Sequence, residues 1–298
     1  MKPRLERDGV LVLDKPVGIS SFDAIRFLRS RIRIGKIGHT GTLDPLASGV
    51  LPIVLNRATR LSPWLSDARK GYEATLVLGE ARDTQDATGR VVERAPIPEL
   101  DAGGIERVLE TFLGAQTQIP PMYSAVHHEG RRLYELAREG IEVARPPRRI
   151  EIDVLRLLRW EGGEIDFRVI CSKGTYIRTL ATDIAHRLGT VGHLSRLRRI
   201  RSGPFGIEEA HPLEEIAERI ERGNFEEIVI PPVEALPDLP ALLLSPEQCA
   251  AIRQGRAIRH PTPVEPDAFV RLLDPSGALL AIGIARKEGI HPKRVIAT

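Results

Sequence analysis

A glycine-rich segment surrounds the aspartate whose setting best suits catalysis. Residues 35–49 contain four glycines, one proline and several small polar residues, which favours a loop over a helix or a strand. Within this segment Asp44 precedes Pro45, and a residue before proline is held in extended geometry. A carboxylate on a rigid loop is a candidate nucleophile or base. The same pattern also suits an aspartate that only forms a turn or a cap, so the residues alone leave both interpretations open.

Two other groups of side chains suggest competing chemistries. Asp83 and Asp86 could form the carboxylate pair of a glycosidase, although loop aspartates that precede a glycine such as Gly89 more often form turns. His127 and His128 are adjacent and cannot share a helix face. The sequence contains no Cys-x-x-Cys or His-Glu-x-x-His pattern. We therefore predict no metal site.

The elements that must position these residues are a mixture of strands and helices. Alternation and short apolar runs predict strands at 9–13, 51–55, 72–78, 150–160 and 164–171. Helical spacing predicts helices at 105–113, 132–138 and 175–188. A further helix should begin after Ser20, which forms a capping-box pattern with Asp23. Because strands and helices do not alternate regularly, we predict an α+β fold with a mixed, mostly antiparallel sheet and flanking helices.

Length and composition indicate a globular protein with two domains. The chain has 298 residues, 42% of them apolar and 28% charged, and four prolines interrupt it between 231 and 240. We predict a first domain at 1–235 and a small β-rich domain at 240–298. The sequence has only two cysteines and no apolar run long enough for a membrane span. These features predict a soluble protein of the reducing cytoplasm.

The charge balance gives a weaker signal for an acidic partner. Lysine and arginine together number 43 against 40 acidic residues, and 36 of the 43 are arginine. Arginine suits phosphate and stacked bases, but a coding bias toward arginine would give the same count. Two groups of arginines could follow a phosphate backbone or form solvated faces. The first group is Arg131, Arg132, Arg145, Arg148 and Arg149, and the second is Arg196, Arg198, Arg199 and Arg201.

The segment at 38–51 resembles the signature of the TruB family of tRNA pseudouridine synthases, Gly-His-x-Gly-x-Leu-Asp-Pro. Six further stretches resemble motifs of the same family, and all seven occur along the chain in the family's order. They are Lys15-Pro16-x-Gly18, Lys70-Gly71-Tyr72-Glu73-Ala74, and the segments 83–89, 120–125, 171–178 and 197–205. Seven ordered matches between Lys15 and Phe205 argue strongly against coincidence.

The resemblance implies an isomerase that breaks the bond between uracil N1 and the ribose, turns the base and rejoins it through C5. No cofactor is needed, because the reaction adds no atoms and involves no net redox change. Asp44 would be the catalytic residue and would attack either the uracil ring or the ribose, which the sequence does not distinguish. The uridine must also be flipped out of the RNA stack.

The resemblance also assigns roles to residues around Asp44. Tyr72 would stack on the flipped uracil and could take part in removing the C5 proton. Arg178 would keep the carboxylate ionised and aimed, because an opposite charge nearby favours the ionised form. The other residues assigned to substrate binding are Tyr176 and Leu197 in the pocket walls, His39 beside the RNA, and Lys15 in the framework of the site.

The implied substrate is tRNA, at the uridine in position 55 of the T-loop, bound by a chain that acts alone as a monomer. Two alternatives stay open: the catalytic subunit of a guide-RNA-directed pseudouridylation particle, and a tRNA-folding chaperone with secondary catalysis. The segment 240–298 resembles a PUA-type RNA-binding module through Gly255-Arg256 and Asp274-Pro275-x-Gly277. Two positions depart from the family pattern: His127, where a lysine is usual, and Glu129 after it.

Overall fold

The computed structural model describes residues 2–124, 126–259 and 264–296, with the exception of the His128 side chain. Ala125, the last residue of the 120–125 motif, lies outside the described residues. Within these ranges no helix is long and apolar enough to cross a membrane.

The described residues form nineteen strands, seven α-helices and three short 3-10 helices. The strands are β1 (Gly9–Lys15), β2 (Ile37–His39), β3 (Ser48–Leu55), β4 (Lys70–Leu78), β5 (Glu80–Arg82), β6 (Val91–Arg94), β7 (Gly114–Gln118), β8 (His127–His128), β9 (Arg131–Arg132), β10 (Arg148–Glu161), β11 (Glu164–Cys171), β12 (Gly192–Ser202), β13 (Phe205–Gly206), β14 (His211–Pro212), β15 (Val229–Ile230), β16 (Ala241–Leu243), β17 (Phe269–Leu273), β18 (Leu279–Arg286) and β19 (Gly289–Val295). The α-helices are α1 (Ser21–Arg31), α2 (Ser62–Asp67), α3 (Ala102–Glu110), α4 (Leu133–Arg138), α5 (Ile177–Arg187), α6 (Leu213–Arg222) and α7 (Pro246–Arg253). The 3-10 helices are Asn56–Leu61, Ile207–Glu209 and Phe225–Ile228.

Eleven strands form one large mixed sheet. Its main path has the order β14-β1-β3-β12-β4-β11-β10-β7, and β2, β13 and β15 pair beside it with β3, β12 and β1. Among the described strands of this sheet, β1 with β14 and β3 with β12 are the parallel pairs, and the other pairs are antiparallel. The predicted α+β fold with a mixed, mostly antiparallel sheet is therefore confirmed.

Helices α1, α3, α5 and α6 share one apolar cluster with a face of this sheet. On β4 the residues Tyr72, Ala74 and Leu76 are buried in that cluster, whereas Glu73 is only partly buried. This alternation follows because successive side chains of a strand point to opposite faces. It also explains why the period-2 pattern at 72–78 predicts a strand correctly.

The start of α1 is fixed by the predicted capping box. The Asp23 backbone N–H donates to Ser20 Oγ at 3.1 Å, and the Ser20 backbone N–H donates to Asp23 Oδ2 at 2.9 Å. Such a cap contributes about 0.5–2 kcal/mol to stability. Because α1 begins beside the loop that carries Asp44, the same cap also fixes one wall of the candidate site.

Strands β1 and β3 are buried on both faces. In β1, Leu11 and Leu13 join the helix-side cluster, while Val10 and Val12 join a second apolar cluster on the opposite face. A strand covered on both faces has a continuous apolar sequence instead of an alternating one. This accounts for the uninterrupted apolar run at 10–13.

The second cluster connects the large sheet to a four-stranded sheet with the order β16-β17-β18-β19. Leu279 and Ile282 of β18 belong to this cluster, and the ring of Trp64 meets that of Phe269 edge-on at 5.6 Å. The boundary expected at 235–240 falls between the two sheets. Because the apolar cluster includes Ala235 and continues across it, the division into 1–235 and 240–298 stays a prediction.

Some elements differ from their sequence-based prediction. Strand β2 lies inside the segment 35–49, so the prediction of a continuous loop is wrong there: Ile37–His39 pairs with β3. Helix α3 begins at Ala102, earlier than expected, because Asp101 caps it by accepting a hydrogen bond from Gly104 N–H at 2.6 Å. Strands β7 and β12 were not predicted, since their polar residues obscure the alternation.

Candidate functional site

Asp44 lies in the loop between β2 and β3, held against the first turn of α1. The Ser21 hydroxyl of that turn accepts a hydrogen bond from Leu43 N–H at 2.8 Å and donates to the Leu43 carbonyl at 3.1 Å. The Pro45 carbonyl accepts a hydrogen bond from Gly18 N–H at 2.8 Å. Bonds on both sides of Asp44 therefore hold it rigidly, as a group that reacts in a fixed geometry requires.

Arg178, in the first turn of α5, joins Asp44 to two other segments. Its Nε donates to Asp44 Oδ2 at 2.9 Å, while its two terminal nitrogens donate to the carbonyls of Thr84 and Tyr123 at 2.8 Å. The Arg178 side chain is 4% exposed and the Asp44 side chain 39% exposed. The guanidinium fork thus aims the carboxylate, and one side of that carboxylate stays open to a ligand.

Asp86 is a second carboxylate beside Arg178, with its Oδ2 at 3.7 Å from Nε, and the residue is 5% exposed. Its Oδ1 accepts hydrogen bonds from the hydroxyls of Thr84 and Thr88 at 2.7 and 2.6 Å. The neighbouring Asp83 accepts from Arg90 N–H at 2.8 Å. Both aspartates thus make contacts within their own loop, which favours the interpretation as turn-forming residues over that of a glycosidase pair.

A pocket of about 260 Å³ opens beside Asp44; we call it the inner pocket. Its lining includes Tyr72, Tyr176, Arg178 and Leu197, four of the residues assigned from the resemblance. Tyr72 and Leu197 meet because β4 and β12 are neighbours in the large sheet. Tyr176 and Arg178 reach the same pocket from the start of α5.

The Tyr72 side chain forms a buried aromatic wall of the inner pocket. Tyr72 is 8% exposed, and burial raises the pKa of its phenol while the Arg199 charge opposes this shift. The phenol is therefore protonated near neutral pH. Its ring offers a flat apolar surface on which a planar base can stack.

His39 and Lys15 flank the catalytic loop but are absent from the lining of the inner pocket. His39 lines an adjoining cavity of about 850 Å³, the outer cavity, which also contains Asp44. Burial, reinforced by the Arg199 charge, lowers the pKa of the imidazole, so His39 is neutral near neutral pH. Lys15 is fully buried and donates to the carbonyls of two residues in the turn after β1, both at 2.7 Å. Burial lowers the pKa of Lys15 to about 8, against the opposing effect of Asp44.

The outer cavity presents aromatic and cationic side chains of the kind that bind single-stranded RNA. The Arg138 and Arg132 guanidinium groups lie 5.5 and 6.0 Å from the centre of the Tyr134 ring. Phe22 lines the same cavity and is 62% exposed. Arg132 is thus the member of the first arginine group that lines this cavity.

The second arginine group does not form one surface. Arg199 is 1% exposed and points into the protein, whereas Arg198 pairs with Asp14 at 2.7 Å. The interpretation of this group as a single phosphate-binding track is wrong, because successive residues of β12 face opposite sides of the sheet.

The two departures from the family pattern lie outside both cavities. His127 is an exposed residue of β8, and Glu129 lies in the turn between β8 and β9 with φ of 50°. This left-handed conformation costs a non-glycine residue about 1–2 kcal/mol. Among the described residues, no group of three His, Cys, Asp or Glu side chains is arranged to hold a metal ion.

Three buried polar residues were not assigned to the site from the sequence, although Lys70 occurs in a matched motif and Arg199 in the second arginine group. Lys70 and Arg199 line the inner pocket. Gln118 of β7 clamps the residue before α5: its side chain accepts from Tyr176 N–H at 2.8 Å and donates to the Tyr176 carbonyl at 3.1 Å. The available signal was spacing, since Lys70 lies two residues before Tyr72 and Arg199 two residues after Leu197 on the same strand faces.

The fold is similar to that of two solved complexes. A structure described as a Cbf5-Nop10-Gar1 complex matches with a TM-score of 0.75 and 28% identity, covering 97% of this chain and 84% of that one. A structure of an H/ACA RNP bound to a substrate RNA containing 2′-deoxyuridine matches with a TM-score of 0.74 and 25% identity, covering 97% and 85%. The class that the fold and the aspartate site define is that of the pseudouridine synthases.

Sequence comparison identifies the family within this class. The family described as "TruB family pseudouridylate synthase (N terminal domain)" matches residues 29–177, and two TruB C-terminal families match 178–237 and 240–296. The tRNA pseudouridine synthase B of Nitrosococcus oceani is 43% identical over 292 residues, covering 97% of this chain and 94% of that protein. The same enzyme of Syntrophomonas wolfei is 46% identical over 282 residues, covering 93% of each. The chain belongs to the TruB family, which confirms the resemblance seen in the sequence motifs.

Proposed function

We propose that this protein isomerises a uridine in the T-loop of tRNA to pseudouridine. The observation that carries the proposal is the Asp44 carboxylate, held at 2.9 Å by the buried Arg178 at the mouth of a small pocket. The relatives that match nearly the whole chain are named tRNA pseudouridine synthase B. The protein is an isomerase that acts on tRNA.

The reaction exchanges one glycosidic bond for another. The bond between N1 and C1′ breaks and a bond between C5 and C1′ forms, while C5 loses a proton and N1 gains one. Substrate and product are isomers, so the reaction consumes no oxidant, reductant or group donor. Asp44 forms the transient covalent bond, either to the uracil ring or to the ribose.

The remaining residues would bind and orient the flipped base. Flipping costs a few kcal/mol of lost stacking, and the Tyr72 ring would replace the stacking partner inside the inner pocket. Leu197 and Tyr176 would close the sides of the pocket, and Arg178 would hold Asp44 in line with the reacting atom. His39, neutral and at the wall of the outer cavity, would pack against the RNA loop rather than transfer protons.

For binding, we propose that the T-arm of tRNA lies in the outer cavity and that the segment 240–298 contributes a PUA-like RNA-binding surface. The chain would act alone, as a monomer, in the cytoplasm. The particle alternative is less supported, because the H/ACA and Cbf5 structures are 25–28% identical whereas the tRNA enzymes are 43–46% identical.

The test is the formation and position of pseudouridine in unmodified tRNA incubated with the purified protein alone. We expect modification at the T-loop uridine without metal, nucleotide or guide RNA. Asp44→Asn is the matched control: it should abolish pseudouridine and leave the Kd for tRNA within about tenfold, a change of about 1.4 kcal/mol. Release of free uracil would instead indicate a glycosidase. Intact binding without modification by the wild-type protein would favour the chaperone or a missing partner.

A further inference from the structure

Positive charge is buried around the inner pocket without matching negative charge. The buried cations of the site and their exposed fractions are Lys15 at 0%, Arg199 at 1%, Arg178 at 4% and Lys70 at 6%. The carboxylates of Asp44 and Asp86 both lie within 4 Å of Arg178. No carboxylate of the described ranges forms an ion pair with the other three. Since buried charge is costly unless it is paired, this excess needs a physical explanation.

Lys70 has a hydrogen-bond donor left for the pocket. Its Nζ donates to the carbonyls of Ser66 and Ala68 at 2.7 and 2.6 Å. An ammonium group carries three donors, and the third has no partner among the described residues. Because Lys70 also lines the inner pocket, this donor is available to a ligand there.

The Arg199 guanidinium is held by two backbone carbonyls, one in β3 and one in the loop before it. Its Nε donates to the Val50 carbonyl at 2.6 Å and Nη2 donates to the Gly41 carbonyl at 3.1 Å. It lines the inner pocket, and its charge opposes the rise in the pKa of the Tyr72 phenol. Lys15 differs, since both of its bonds hold the turn after β1 and the inner pocket does not include it.

Both routes of the isomerisation place negative charge on the base. If Asp44 bonds to the ribose, the electron pair of the N1–C1′ bond stays with the departing uracil, which becomes an anion shared by N1, O2 and O4. If Asp44 adds to the ring, the displaced ring electrons form an enolate at O4. Preorganised donors at the position where charge develops are among the strongest contributions to catalysis.

We propose that Lys70 and Arg199 are catalytic residues that stabilise the negative charge on the uracil during its detachment and reattachment. The inference rests on the proposed function, but it holds for either site of Asp44 attack. When C5 then bonds to C1′ and Asp44 is released, the C5 proton leaves and N1 takes one up, so the base returns to neutrality. The unpaired cations thus face a charge that exists only during the reaction.

The first test compares Lys70→Met, Lys70→Arg and the exposed control Lys36→Met. Tritium release from tRNA labelled at uracil C5 reports the single-turnover rate, because the C5 hydrogen is lost in the reaction. We expect Lys70→Met to lower this rate about 10²–10³-fold, the effect of removing one donor to a developing anion. Lys70→Arg should recover most of the rate, Lys36→Met should match wild type, and the Kd for tRNA should stay within threefold throughout.

The second test is the pH profile, which a purely structural role would not move. Burial lowers the pKa of Lys70 to about 8, and the positive charges of Arg199 and Lys173 act in the same direction. Cys171 and Asp67 oppose this shift. If the charged form is required, the wild-type rate falls above about pH 8. Lys70→Arg stays charged and should keep its rate to higher pH.

The outcomes separate the two proposals. A wild-type protein that releases no tritium would overturn the proposed function itself. An active wild type with Lys70→Met within threefold of it, or an alkaline fall that persists unchanged in Lys70→Arg, would overturn the charge role alone. Thermal unfolding of each variant checks its folding, and if Lys70→Met fails to fold, the pH profile of Lys70→Arg decides.

Discussion

Replacing Arg178 by lysine keeps the positive charge and removes the fork that aims Asp44. The guanidinium reaches Asp44 through Nε and the carbonyls of Thr84 and Tyr123 through its two terminal nitrogens. A single ammonium nitrogen cannot occupy all three positions. Two carbonyls then lose a charged donor at about 1.5 kcal/mol each, so Arg178→Lys should lower the free energy of unfolding by about 3 kcal/mol.

The effect on catalysis should be larger than the effect on binding. Without the fork, the Asp44 carboxylate is free to move, and a displacement of about 1 Å from the reacting geometry costs about 10²-fold in rate. Because the Arg178 side chain is 4% exposed, it offers almost no surface to RNA. We therefore expect a single-turnover rate about 10²-fold lower and a Kd for tRNA within threefold of wild type.

Urea unfolding and single-turnover tritium release measure these two effects in parallel. Arg187→Lys is the matched control. Arg187 lies in the last turn of the same helix, at the opposite end from Arg178, and its guanidinium carbon is 5.7 Å from the centre of the Phe112 ring. It should change neither quantity substantially. An Arg178→Lys protein within threefold of the wild-type rate would falsify the aiming role. A loss of tRNA binding as severe as the loss of rate would also contradict it.

Three further expectations concern the framework of the site. Gln118→Leu removes both bonds to the residue before α5 and should cost about 1–3 kcal/mol in urea unfolding together with a slower single turnover; an unchanged rate would contradict the clamp. Trp64→Ala removes the edge-on contact with Phe269 of the four-stranded sheet. It should raise the Kd for tRNA about tenfold and leave the rate with saturating enzyme unchanged. Unchanged binding would count against an RNA-binding role of the four-stranded sheet that depends on this contact. Burial lowers the pKa values of Lys15 and Lys70 from 10.5 to about 8, so between pH 8 and 9 the unfolded chain binds more protons than the folded one. The free energy of unfolding should then rise with pH, by at most about 1.4 kcal/mol per pH unit for each lysine, and a fall in this range would refute the sign.

Sequence patterns predicted those elements whose stability is local. The capping box before α1 needs only residues three positions apart, and the strand at 72–78 follows from alternation. Helix α3 was misplaced because two glycines, weak helix formers, occupy its first turn, where the Asp101 cap compensates. Strand β12 was missed because its arginines face both sides of the sheet, and a basic sequence on a central strand looks like a solvated surface.

The residues of the candidate site also divide into those that the sequence motifs predicted and those that only the structure placed there. The reaction and the residues Asp44, Tyr72 and Arg178 were predicted from the resemblance of ordered motifs to the TruB family, and such motifs are local patterns that can be read along the chain. The structure brings these side chains together around one site, and the roles of all the assigned residues, Asp44 included, stay predictions. Lys70 and Arg199 were named only as members of a motif and of an arginine group, because a lysine or an arginine in a sequence carries no sign of whether it is buried beside a pocket.

By itself, the sequence predicted the α+β class from residue types at short spacings, and its ordered motifs predicted the chemistry through their resemblance to the TruB family. Only the tertiary structure decided which charges meet. Asp44 and Arg178 are 134 positions apart, and Lys70 and Arg199 become neighbours of one pocket because β4 pairs with β12. Electrostatic energy depends on distance in space and on exclusion of water, and neither is written in the order of residues along the chain.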